Sequence, residues 1–118
     1  VAIIGILIAI SYPVYNNHVI KMNRAQAHIA LLNMAAGMER YHVLHHSYEE
    51  ATLSSLEMNN YTDNKHYQLE IGKAEENSYQ LKATPQNAQR KDKTCGRLTL
   101  NEIGQKGISG TGRIEECW

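Results

Sequence analysis

Three groups of residues in this 118-residue chain have the types and spacing to do chemistry. The first is His42-x-x-His45-His46. On a helix, steps of three and four place two imidazoles on one face, as a metal site requires. No thiol stands beside them, and the nearest acids are Glu39, Glu49 and Glu50. The plainer reading is a set of polar residues closing a helix, where partial positive charge suits the macrodipole. No metal or other cofactor is expected. The second group is Cys95 and Cys117. Two thiols without C-x-x-C spacing do not make a zinc site. Their even number favours a disulfide in an oxidising compartment over two buried free thiols. Such a bridge would staple a glycine-rich tail and contribute about 3 kcal/mol in the chain-entropy model.

The third group is a basic run. Between Lys82 and Arg113 seven cations (Lys82, Arg90, Lys91, Lys93, Arg97, Lys106 and Arg113) face only Asp92 and Glu102. An excess of this kind can neutralise DNA phosphates, each contact releasing counterions. Arg90, Lys91, Lys93, Arg97, Lys106 and Arg113 are the candidate contacts. Aromatic residues are poorly interleaved and no base-reading motif is present, so a solvated strand-and-loop face accounts for the same charges. No Ser/His/Asp set, phosphate-cradling glycine loop or carboxylate pair stands out, and a bridge would consume the only thiol nucleophiles. Enzymatic activity is not expected.

The elements that must position these groups are legible in outline. The length suits one domain with a modest core. Twelve Lys and Arg balance twelve Asp and Glu, so no global charge drives the chain toward nucleic acid. The sequence opens on VAIIGILIAI, ten residues without a charge. A run this apolar at the end of a small domain needs a bilayer or the same run from sister chains. As a helix it covers about 15 Å, half the hydrocarbon thickness, and is too short to span alone. Starting on Val rather than Met, the chain is expected to lack an upstream piece.

After Pro13 the spacing turns helical. Met22, Ala25, Ile29, Leu32, Ala36 and Val43 recur at three- and four-residue steps, and Leu31, Ala35 and Met38 widen the stripe. One helix is expected from the N-terminus to about His45, some 65–70 Å long, its front half protruding. Pro13 is expected to kink it, with Gly5 a second weak point. Signals fade from Ser47 to Lys65, apart from a helical turn at Thr52–Leu56. Asn60-Tyr61-Thr62 matches a glycosylation sequon that is frequent by chance, and Ser54-Ser55 offers hydroxyls for surface modification. Alternation at Tyr67, Leu69 and Ile71 and at Tyr79, Leu81 and Ala83 predicts a hairpin across Gly72 to Ser78. Gln86 to Thr94 reads as a basic loop. Arg97 to Leu100 and Gln105 to Ile108 read as two further strands.

The opening VAIIGILIAISYPVY resembles the interior of a type IV pilin N-terminal segment. CGRLTLNEIGQKGISGTGRIEECW resembles the C-terminal disulfide region of type IVa pilins, especially minor ones ending in Cys-Trp. The family's methylated aromatic N-terminus, the glutamate after it and the cleaved leader would all precede Val1, so the chain reads as N-terminally truncated. The resemblance implies an α+β fold: a long N-terminal helix packed on a four-stranded antiparallel sheet. Residues 1–22 would be the membrane and filament-core half of the helix, and 23–118 the globular head. It implies a pilus subunit held in the bacterial inner membrane, then extracted by the pilus assembly machinery into an extracellular filament with other pilin subunits. Assembly would run through Val1, Ala2, Ile3, Ile4, Gly5, Ile6, Leu7, Ile8, Ile10 and Pro13. Cys95 and Cys117 would frame a partner-facing loop. Some minor pilins are DNA-uptake receptors, so extracellular DNA or a host surface is a further expected partner, with adhesion and twitching motility as the associated roles. A type II secretion pseudopilin is the remaining alternative, though no acidic calcium loop is present.

Overall fold

The computed structural model describes the backbone of residues 2–118 and the side chains of residues 18–118. α1 (Ala2–His45) is one unbroken helix of 44 residues. Ala, Leu and Met dominate its second half, and no proline follows Pro13 until the sheet. It ends where His46 turns left-handed (φ 59°) while its amide still donates to the His42 carbonyl. The long dimension, 66 Å, matches 44 residues at about 1.5 Å each. The side chains of Val1 to Ile10 and of Pro13, to which assembly was assigned, lie outside the described residues. Among the described residues no helix is long and apolar enough to cross a membrane.

Four strands follow as a simple meander: β1 (Tyr67–Ala74), β2 (Tyr79–Pro85), β3 (Leu98–Asn101) and β4 (Lys106–Ile108), all antiparallel and adjacent in sequence order. Period-two patterning sets the register. Tyr67 and Leu69, Tyr79, Leu81 and Ala83, and Leu98 and Leu100 turn inward, with polar partners outward. The register slips between Ile71 and Lys73, placing a bulge at Gly72. The core lies between this inner face and Ala27, Leu31, Met34 and Met38 of α1, all fully buried. Each larger side chain contributes on the order of 1.5–3 kcal/mol by leaving water.

Two expectations need correction. The helix stripe that spacing favoured is the outer one: Met22, Ile29, Leu32 and Val43 are more than half exposed. The residues expected only to widen it, Leu31 and Met38, are the ones that face the sheet. Apolar residues occur all round this helix, and periodicity alone does not say which side the head occupies. The segment from Ser47 to Lys65, read as faint, also contributes Tyr48, Ala51 and Leu56 to the core. Leu56 packs over Gly37 of the helix. Thr52 and Ser55 exchange side-chain-to-amide hydrogen bonds that shape the turn before it.

Candidate nucleic-acid interface

The polar stretch read as a basic loop is anchored from within. Its centre is a 3-10 turn, Asn87–Lys91, with Gln89 buried. The Gln89 side-chain amide donates to the Ile20 carbonyl of α1 (3.1 Å) and to the Tyr67 hydroxyl (3.0 Å). Its oxygen accepts from Asn23 (3.0 Å), which in turn accepts from Asn64 (3.0 Å). Burial pushes the Tyr67 hydroxyl up to about 12, so it stays protonated. Three residues on, Asp92 accepts both arms of the Arg24 guanidinium at 2.7 Å and the Cys95 amide at 3.2 Å. The Asp92 hydrogen bond raises Arg24 above its ordinary range, against an opposing effect of burial. A planar fork on a buried carboxylate is a strong, geometrically fixed contact.

These anchors turn the remaining cations outward. Arg90, Lys93 and Arg97 line one surface groove of about 440 Å³ with Thr84, Gln86 and Ser109. Gly96 and Gly110 form part of the lining for different reasons. Gly96 adopts φ 61°, and a side chain on Gly110 would collide with the Thr94 carbonyl. The Cys95–Cys117 bridge, closing a separation of 22 residues, ties the segment just before β3 to α2 (Ile114–Cys117). Asp92, the acid that sequence counted against these cations, is spent on Arg24. Among the described residues Arg90, Lys91, Lys93 and Arg97 take part in no ion pair.

The other sequence candidates lie apart. Lys91 is exposed beside the groove without lining it. Lys106 sits over the Trp118 ring at 5.6 Å, and Arg113 pairs with Glu116 at 3.2 Å. Lys82 stands opposite Glu70 on the outer sheet face. The structure therefore gathers three of the six proposed contacts. Ser109, Gln86 and Thr84 are lining residues that sequence reasoning missed, because the folded proximity of β2, β3 and the loop after β4 has no local signal.

At the other end of the head, the histidines read as a helix terminus are packed on tyrosines. His42 lies 4.5 Å from the Tyr48 ring and His45 4.2 Å from Tyr41. Among the described residues no three His, Cys, Asp or Glu side chains are grouped to hold a metal.

Comparison with known proteins bears on the family and the fold. A family model described as type IV minor pilin ComP, DNA uptake sequence receptor, matches residues 13–99. No curated protein matches the chain. Among solved structures, the non-core minor pilin PilV of Neisseria meningitidis is similar over 81% of this chain and 92% of its own, at 25% identity and a TM-score of 0.64. A type IV pilin of Shewanella oneidensis shares the fold over 84% of this chain and 97% of its own, at 21% identity and a TM-score of 0.60.

Proposed function

Because this chain belongs to the type IV minor pilin family described as ComP, DNA uptake sequence receptor, and is a structural subunit of the type IV pilus, we propose how it assembles and what it binds there. Before assembly the apolar run Val1 to Ile10 holds the chain in the inner membrane. In the filament the same run packs among other subunits' helices. Lipid and helix bundle are similarly apolar, so moving between them crosses no large hydrophobic barrier. The exposed stripe of α1 carries the support for this reading. Met22, Ile29 and Leu32 are 51%, 60% and 55% exposed, Ile29 at the lip of a groove it shares with Met58 and Tyr61. A contiguous apolar face of this kind marks a packing surface. Placing aspartate at Ile6 is expected to abolish recovery of the protein in sheared pili while leaving the head folded. Normal recovery would refute assembly through the tail.

A second role is favoured by a specific observation, the convergence of Arg90, Lys93 and Arg97 on one groove with no acid paired to them. On this reading the subunit displays a DNA-binding groove at the pilus surface, a role in keeping with a family description that names ComP a DNA uptake sequence receptor. Phosphate contacts supply the affinity, so binding should weaken steeply with salt. Replacing the three cations by glutamine should reduce duplex DNA affinity by roughly tenfold or more at low salt and flatten the salt slope by about three. A gel-shift titration measures both. Unchanged affinity would leave the groove with no role in uptake.

A further inference from the structure

The chain carries equal numbers of cations and acids, and the fold sorts them by height along α1. At the end of the head nearest the tail, two loops meet the helix at one level. Gln89 reaches the Ile20 carbonyl, and Asn64 reaches Asn23. The Asn87 side-chain amide donates to the Lys65 carbonyl at 3.3 Å, lashing the two loops together. Lys21, Lys65, Arg90, Lys91 and Lys93 are all exposed on this rim. Arg24 is matched by Asp92 and Arg113 by Glu116, leaving Asp63 and Glu115 to oppose the five.

The far end has the opposite sign. The Tyr48 amide donates to the Glu76 carbonyl, its hydroxyl to Glu39, and the Tyr79 amide to Glu102. The Tyr41 hydroxyl donates to the Glu49 carbonyl. Glu39, Glu49, Glu50, Glu75, Glu76 and Glu102 gather there against Arg40 and Lys73. A neutral protein is thus a charged rod, positive where the tail leaves it and negative at the crown.

We infer that, before assembly, the basic rim rests on the anionic headgroups of the membrane that holds the tail. The inference depends on the membrane anchoring proposed above. Ile20 lies ten residues beyond the apolar run, about 15 Å along the helix. Tyr12 and Tyr15 fall between, as interfacial aromatics do. With the run in hydrocarbon, lysines at the level of Ile20 to Arg24 come within about one Debye length of the headgroup layer. The acidic crown is repelled from the same surface, so charge alone stands the head upright. Arg90 and Lys93 belong to both the rim and the groove. Lipid and DNA therefore exclude one another, and the groove opens only when the subunit leaves the membrane.

The test uses the full chain in nanodiscs doped with a headgroup spin-labelled lipid, with and without phosphatidylglycerol, read by the broadening of amide NMR signals. Rim amides at Lys21, Lys65 and residues 87–93 should be lost in the anionic discs, and return at high salt or in a Lys65→Gln, Lys91→Gln, Lys93→Gln variant. Crown amides at Glu75 and Glu76 should stay sharp throughout. Tail amides should be broadened in both lipids. Tail amides that stay sharp would overturn the anchoring and the inference together. A broadened tail with a rim indifferent to phosphatidylglycerol would overturn the lipid contact alone. So would a rim that stays sharp in anionic discs and responds only to added pili, which would give its cations to a neighbouring subunit.

Discussion

The two sides of α1 have similar composition and opposite fates. Toward the sheet stand Ala27, Leu31, Met34 and Met38, with no exposed surface; away from it stand Met22, Ile29, Leu32 and Val43, more than half exposed. The first side builds the head, and the second is the face proposed to pack against other subunits. Apolarity in a filament protein therefore reports two different associations, and only the fold says which residues serve which. The largest test of the division is a matched pair. Leu31→Ala should destabilise the head by about 2–5 kcal/mol, whereas Ile29→Ala should change it by no more than about 0.5 kcal/mol. Urea denaturation measures both, and equal losses would erase the distinction.

The next test asks whether the sheet-facing side needs the staple at the chain's end. Cys95→Ser with Cys117→Ser should lower stability by about 3 kcal/mol, with no change in the exposure of Ile29. An unchanged midpoint in urea would mean the glycine-rich tail is held by packing alone.

The smallest effect tests the boundary between the two sides. There His28 stacks on Trp118, with centroids 4.6 Å apart and planes within 5°. Burial pushes the His28 imidazole below its ordinary value of 6.5, with a backbone hydrogen bond to Cys117 opposing it and Lys106 and Arg24 adding to it. A base held below its unfolded value contributes stability that is complete above that value. It is lost as pH falls from about 6.5 through the folded value. Thermal unfolding should show a modest drop across that window, absent in His28→Phe. A drop of the same size in the variant would assign the pH dependence elsewhere.

Much of this was legible in the residues. The long helix, the four strands and the bridge follow from spacing, alternation and cysteine number, and the two chain ends carry the pilin resemblance. The family match falls mainly between those ends, on residues 13–99, where composition shows least. What stayed hidden has a common cause. Gln89 and Asp92 sit in a polar stretch and look solvated, yet both are buried by partners more than 60 residues away. Tyr48, Ala51 and Leu56 enter the core from a segment with no period. The outer stripe of α1 satisfied helical spacing as well as the inner one did. Periodicity detects an amphipathic element but does not see what lies across from it. The basic groove was half visible: its cations could be counted, but which three converge was decided by the anchors beneath them.

Gln89 grips α1 twice, donating to the main-chain oxygen of Ile20 and accepting from the side-chain amide of Asn23. Substituting Asn23 would remove one hold and leave the main-chain one, which only stretching or unwinding the turn would break. Tension drawn through the tail therefore enters the head at the loop bearing Arg90 and Lys93, so a pilus under load would transmit its pull to the surface proposed to bind DNA.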